Sequence, residues 1–274
     1  MLNRRVSSFL MLSLLAFSYA APAQDRANRL ISLLEKGQPV VGVWTGALSA
    51  PRIAKVLATS DADYIVADVE HDIYDFNALH RFLLEIQDFS NRFRTEPRVP
   101  PAVLVKLGSR GTWDPRYEIA ESLKVGPAMG VWLPMVEGRA DVERALTAIR
   151  GAETSAMAGL NIARDRRDVW PLNPKGELLL VAMIETEAGV RNAREIVETP
   201  GLSAVETVHI SDEDAARILK MCLDRKVVAA IDAAPADVKA KVDAGYRMVS
   251  VGWDFGLLQT GLTDTIKSFR AAIK

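Results

Sequence analysis

The chain has 274 residues, 49% of them hydrophobic and 25% charged, and a formal net charge of −1. That balance belongs to a soluble globule, and the near-neutral charge excludes the strong basic field of a nucleic-acid or membrane-surface binder. The single cysteine, Cys222, excludes an internal disulfide, so the fold must rest on its core.

Residues 1–23 read as a removable export signal. Arg4 and Arg5 precede an apolar stretch from Phe9 to Ala21, and Ala21-Pro22-Ala23 supplies a small-x-small cleavage pattern. The apolar stretch is short for a membrane span, which takes about 20 residues. Cleavage after Ala20 and after Ala23 fit equally well. The expectation is a secreted or periplasmic protein, free of the membrane once cleaved, with residues 24–274 folding as one domain.

An amphipathic helix is expected over Asp25–Lys36. A rhythm follows in which short apolar runs alternate with helical patterns. The runs are Val40–Ala47, Tyr64–Glu70, Ala102–Leu107, Gly130–Val136, Leu178–Glu185, Ala204–Ile210, Val227–Asp232 and Met248–Trp253. Helices are expected at Asp75–Phe89, Ala140–Ile149, Val190–Val197, Glu213–Leu223, Ala236–Ala244 and Thr263–Ile273. Continuous apolar runs mark strands buried on both faces, as in parallel sheets. Eight such runs with helical connectors predict a single (β/α)₈ TIM barrel. Ser90–Pro101 and Glu153–Gly176 break the rhythm and read as long loops, the kind that carries function.

In such barrels the chemistry gathers where strands end. Strand two ends in Asp68-Val69-Glu70-His71, strand three in Lys106 with Arg110 soon after, and strand five in Glu185-Thr186-Glu187. Strand six ends in His209-Ile210-Ser211-Asp212, strand seven at Asp232, and strand eight at Trp253-Asp254. Histidine is the side chain suited to moving protons near neutral pH, so His71 is a candidate acid–base group. Asp68 and Glu70 are placed to orient it. Lys106 or Arg110 would bind a substrate carboxylate or stabilise enolate charge. Glu185 and Asp212 would offer oxygens to a hard divalent cation, which takes one or two carboxylates plus water and substrate oxygens.

Plainer roles compete at each position. Asp68, Glu70 and Asp72 also suit a helix start, and Ser211-Asp212-Glu213-Asp214 is an ordinary helix N-terminal signature. His80, among Phe76, Leu79 and Leu83, reads as structural, and His209 fits either role. Trp44, Trp132 and Trp253 read as barrel packing. Cys222, among Ile218, Leu219, Met221 and Leu223, reads as a buried, inert thiol.

Taken in chain order, Gly42-Val43-Trp44, Tyr64 to His71, Val131-Trp-Leu-Pro-Met-Val136, Met183-Ile-Glu-Thr186 and Gly252-Trp-Asp254 resemble the HpcH/HpaI aldolase (citrate lyase) family. The resemblance covers nearly the whole chain after the signal. It implies a (β/α)₈ barrel, often assembled as a hexamer of domain-swapped dimers. It also implies a lyase that makes or breaks carbon–carbon bonds next to a pyruvate-type enolate, with a divalent ion (Mg²⁺, Mn²⁺ or Co²⁺) as cofactor. The partners so implied are a 2-oxo acid and an aldehyde. Matched by motif, Glu185 is a metal carboxylate, His71 the catalytic base and Asp68 its supporting carboxylate.

Three positions depart from the pattern. The second metal carboxylate falls at Asp212, without the family's Gly-Pro. The arginine that contacts the 2-oxo acid is replaced by Lys106, which keeps the charge and loses the bidentate fork. Lys124, before Val125-Gly126, stands where the family places a carboxylate that pairs with the histidine. These departures leave two further readings open. One is a non-catalytic barrel that binds a small organic acid or a carbohydrate. The other is a different lyase or hydrolase using Glu70 and Glu187 as acid and base.

Overall fold

A computed structural model describes residues 26–72, 74–87, 95, 99–126, 128–152 and 162–273. The export signal expected at residues 1–23 lies outside these residues, as do most of the loop expected at 90–101 and the first part of that at 153–176.

Helix α1 (Arg29–Glu35) leads into eight parallel strands that close in sequence order. The strands are β1 (Val40–Thr45), β2 (Tyr64–Asp68), β3 (Ala102–Lys106), β4 (Ala128–Leu133), β5 (Leu179–Ile184), β6 (Ala204–Thr207), β7 (Val228–Asp232) and β8 (Met248–Trp253). The expected (β/α)₈ barrel is therefore the observed one.

Between strands lie α2 (Pro51–Ala58), α3 (Phe76–Ile86), α4 (Arg116–Leu123), α5 (Arg139–Gly151), the short pair α6 (Glu187–Arg191) and α7 (Ala193–Val197), α8 (Asp212–Arg225) and α9 (Val238–Ala244). Helix α10 (Asp254–Ala272) ends the chain, starting nine residues before the expected Thr263. The helix expected at Val190–Val197 breaks at Asn192, which accepts the role of cap for both pieces.

Helices α2 and α4 were not among those expected. Helix α2 opens on Pro51, whose missing N–H costs nothing in a first turn. Helix α4 is only weakly amphipathic because Glu118 and Ser122 sit on its buried face beside Ile119 and Leu123. Glu118 belongs there because it is satisfied: it accepts from Tyr74 Oη at 2.8 Å, from Ser109 N–H at 2.9 Å and from the Ser109 hydroxyl.

Strand registers align Tyr64 with Ala102, Asp68 with Lys106, Lys106 with Trp132, and Asp232 with Ser250. Side chains from non-adjacent strands meet along these rows: Trp44 with Asp232, Tyr64 with Ser250, and Trp132 with Glu206. Such contacts form only inside a closed barrel, so these rows face its axis. Gly42 belongs to the same face. A Cβ there would stand 2.2 Å from the Tyr64 ring, so glycine makes room for the tyrosine. The opposite rows, such as Ile65, Val103 and Val105, are buried beneath the helices.

The cover is uneven. Helix α8 buries only Ile218 and Cys222, and neither α9 nor α10 buries any residue. Val41 and Val251, on adjoining strands, remain exposed. No described helix is long and apolar enough to cross a membrane.

Candidate active site

The C-terminal end of β2 turns back on itself at Asp68. This carboxylate is fully buried and grips the next turn twice. Oδ1 accepts the His71 backbone N–H at 2.8 Å, and Oδ2 lies 2.9 Å from His71 Nδ1. The second bond places the ring proton on Nδ1, leaving Nε2 as the basic nitrogen. The His71 side chain is 58% exposed, so that nitrogen is reachable from the mouth.

Lys106 ends the neighbouring strand in register with Asp68. It is only 4% exposed. Its ammonium lies 2.7 Å from Glu70 Oε2, 3.4 Å from Asp68 Oδ2 and 3.3 Å from His71 Nδ1, and 5.6 Å from the Trp44 ring centroid. The ammonium charge is thus shared between two carboxylates and an aromatic face.

Across the mouth, Glu185 follows β5 and is half-buried. Its Oε1 accepts the Met135 N–H at 2.8 Å. Met135 has φ +51°, a left-handed conformation that a methionine adopts at a cost. The strain is spent in the segment that aims this N–H at the carboxylate.

Below these groups the barrel interior is polar. Trp44 Nε1 donates to Asp232 Oδ1 at 2.9 Å, and Trp132 Nε1 to Glu206 Oε2 at 3.0 Å. Tyr64 Oη lies 3.0 Å from Ser250 Oγ. Burial pushes the Glu206 carboxyl well above the usual carboxylate range. The Asp232 charge adds to that push, while the Trp132 N–H and the Lys106 ammonium oppose it. Burial also raises Asp232, against the hydrogen bonds from Trp44 and Ser250. Trp253 closes one side of the mouth, stacked on Trp44 at 5.7 Å and edge-on to His71 at 6.0 Å. Thr45 Oγ1 donates to Asp254 at 2.6 Å, fixing the start of α10 beside it.

The structure therefore brings Asp68, Glu70, His71 and Lys106 together, with Glu185 on the same rim. The remaining candidates have other surroundings. Arg110 is exposed in the loop after β3, with no ion pair among the described residues. Asp212 is exposed in the first turn of α8, which Ser211 caps through the Asp214 N–H. Glu187 is 96% exposed and pairs with Arg191, so it is not the acid–base partner of Glu70. Lys124 ends α4, beside Glu121. His80 takes the structural role expected of it, its Nε2 lying 2.9 Å from the Glu121 carbonyl. His209 is exposed, at φ +55°. Cys222 is buried as expected, and burial pushes its thiol up to about 12.

Trp44 and Trp132 pack the barrel as expected, yet each also holds an acid. Trp253 does more than pack, since it faces the histidine. Glu206 was not anticipated. Its signal was a lone charged residue at an inward position of the strand Ala204–Thr207.

A closed parallel barrel with a histidine–carboxylate pair and further acids at its C-terminal rim has the layout of the (β/α)₈ enzymes. The chain belongs to the HpcH/HpaI aldolase/citrate lyase family, whose model matches residues 41–250. It is 24% identical over 269 residues to the hydroxypyruvate/pyruvate aldolase of Delftia acidovorans, covering 89% of this chain and 93% of that protein. It is also 24% identical over 257 residues to the enzyme of the same description from Chromohalobacter salexigens, covering 85% and 94%. Among solved structures, a family protein from Burkholderia cenocepacia J2315 superposes with a TM-score of 0.70 at 20% identity. That match covers 89% of this chain and 99% of the other.

Proposed function

We propose that the protein is a divalent-metal-dependent aldolase that makes or cleaves the carbon–carbon bond beside a pyruvate-type enolate, using a 2-oxo acid and an aldehyde. The observation that carries this reading is the His71–Asp68 pair, which leaves a basic Nε2 open to the mouth on the rim that also holds Glu185. The similarity to hydroxypyruvate/pyruvate aldolases supports the substrate class.

The donor set supports a hard cation. Among the described residues no three His, Cys, Asp or Glu side chains converge as a metal cage. Mg²⁺-type ions are held by one or two carboxylates with water and substrate completing the shell. Glu185, with one oxygen tethered by Met135 and set at a strand end, fits that role, and Asp212 is the second carboxylate proposed. Charge balance points the same way. The Lys106 ammonium is already paired to Glu70 and Asp68, so an anionic 2-oxo acid entering this mouth needs another positive charge. When bound, the ion would polarise the 2-oxo carbonyl as a Lewis acid.

The chain's own residues do the rest. His71 Nε2 takes or returns the proton of the aldehyde-derived hydroxyl. Asp68 holds the ring's Nδ1–H and stabilises the imidazolium that results. Lys106 keeps Glu70 and Asp68 fixed around the ring, and Arg110 is the exposed cation offered for the substrate carboxylate. Trp253 borders His71 at the mouth in a T-shaped ring contact.

Residues 1–23 are proposed to export the protein to the periplasm or beyond, with 24–274 as the mature domain. The mature protein is proposed to be a homo-oligomer, a hexamer as the family resemblance implies. Helix α10 supports this. Phe255, Leu258, Leu262, Ile266, Phe269 and Ile273 recur at helical spacing and all are exposed, a stripe suited to a second copy of the chain.

The test is cleavage of 4-hydroxy-2-oxo acids by the mature protein with and without chelator, beside Glu185→Gln. Turnover that needs Mg²⁺, Mn²⁺ or Co²⁺ and is lost in the variant is expected. Turnover of equal rate without metal would remove the metal. Ligand-induced stabilisation by pyruvate with no product from any aldehyde would instead favour a barrel that only binds.

A further inference from the structure

Five acidic side chains are buried among the described residues: Asp68, Glu118, Asp141, Glu177 and Glu206. Four are richly paired. Asp68 faces His71 and Lys106, Glu118 takes Tyr74 and Ser109, and Asp141 takes two backbone N–H groups and Arg144. Glu177 takes the N–H groups of Ala27 and Asn28 together with Arg166. Glu206 is the exception. It is 1% exposed, accepts one hydrogen bond, from Trp132, and its Oε1 has no partner.

The buried cation of the same interior does not answer it. Lys106 turns to Glu70 and Asp68, and no ion pair joins it to Glu206 among the described residues. A buried carboxylate anion facing a buried ammonium would gain by pairing with it, since leaving both charges separate and dehydrated is costly. The arrangement makes sense when Glu206 is a carboxylic acid.

We propose that Glu206 is a positioning residue acting through Lys106: as an uncharged acid on the far wall of the barrel interior, it leaves the ammonium turned toward Glu70 and the His71–Asp68 pair. Ionised, it would compete for that ammonium and draw it away from the rim. The groups that face Glu206 are Lys106 from β3, Asp232 from β7 and Glu185 after β5, with Tyr64 on β2 and the Trp132 N–H on β4. Two of them, Asp232 and Glu185, are acids whose negative charge opposes its ionisation, and the Tyr64 phenol stays neutral. The upward displacement of its carboxyl by burial agrees with this. Any consequence for turnover rests on the aldolase reading; the arrangement of Lys106 does not.

The experiment is an NMR titration of the mature protein with carboxyl-labelled glutamate and labelled lysine. Glu206 is assigned by its absence in Glu206→Gln, and Lys106 by its absence in Lys106→Arg. The expected result is a Glu206 signal that stays protonated through the ordinary carboxylate range. Its later ionisation should move the Lys106 Nζ signal in the wild type, with no such movement in Glu206→Gln. If the protein turns over, the same ionisation should give an alkaline limb in its pH profile that Glu206→Gln lacks. A Glu206 signal that titrates in the ordinary range would overturn the proposal. So would a Lys106 signal indifferent to the ionisation of Glu206. If Glu206→Gln does not fold, a wild-type glutamate signal that stays protonated while a buried lysine signal shifts with it still decides. Absence of all turnover would refute the aldolase reading and leave these two signals to judge the positioning role.

Discussion

Replacing Asp68 with asparagine is the sharpest perturbation of the proposed mechanism, because the two oxygens of this buried carboxylate accept two different N–H groups of one residue. An amide has a single acceptor oxygen, so one of the two contacts becomes donor against donor. If the amide nitrogen faces the ring, His71 must move its proton to Nε2, and the basic nitrogen at the mouth is lost. If it faces the backbone N–H, a buried donor goes unpaired at a cost of about 1–3 kcal/mol. Either way, Lys106 loses the carboxylate at 3.4 Å and keeps Glu70 alone.

Loss of a positioned general base slows turnover by about 10²- to 10⁴-fold, a barrier increase of roughly 2.7–5.5 kcal/mol. The stability cost corresponds to a melting temperature lower by roughly 2–12 °C for a domain of this size. The assay is the pH profile of retro-aldol cleavage at saturating metal, with thermal melting of the same samples. A folded Asp68→Asn protein with kcat within about threefold of wild type, well short of the loss of a general base, and with an unchanged melting temperature would refute the reasoning, because neither contact of Asp68 with His71 would then matter.

Asp232→Asn tests the polar interior by pH. The folded carboxyl is raised above its ordinary value by burial, so the native state holds a proton that the unfolded chain has released. Stability then falls as pH climbs from the ordinary value through the raised one, by about 1.4 kcal/mol per pH unit for one proton. Asparagine keeps the acceptor for the Trp44 N–H without the charge, so the variant should match the wild type in acid and overtake it as pH rises in urea-unfolding series. A gap of constant size at every pH would count against the assignment. Phe269→Asp places a charge in the exposed stripe of α10, and sedimentation should show the proposed assembly weakened at least about tenfold in dissociation constant. An unchanged oligomer would mean that α10 is not its seam.

Most of the barrel was legible in the sequence because parallel strands buried on both faces leave uninterrupted apolar runs, and eight of them leave little choice of closure. The missed helices show where that signal stops. Helix α4 turns Glu118 inward, which hydropathy counts as surface, and only the hydroxyls and N–H groups of Tyr74 and Ser109 make it a buried residue. Helix α10 was read short because its first nine residues, Asp254 to Leu262, hold two glycines, Thr260 and Gln259 among their apolar positions. The site was half legible. Asp68 and His71 stand three residues apart and close on each other locally, so their spacing carried their geometry. Lys106 joins them through a strand register, and Glu206 and Asp232 through contacts across the barrel, which no local pattern records.

The charge of this interior ties the fold to the chemistry proposed. Filled with apolar side chains alone, a barrel of this size is a packed core with chemistry confined to its loops. Here Asp232 and Glu206 extend the acid surface of the mouth inward, and each is anchored by an indole N–H rather than by a cation. An indole donates one hydrogen bond and no charge, so it fixes an acid in place without favouring ionisation as strongly as an ammonium would. The ammonium of Lys106 is thereby left to the rim, where Glu70 and Asp68 hold it beside His71. With that ammonium already paired, the anionic substrate proposed would enter the mouth together with a cation. The tryptophans and the metal requirement proposed for Glu185 are thus two sides of one electrostatic arrangement, and removing either indole should weaken metal binding without touching a ligand.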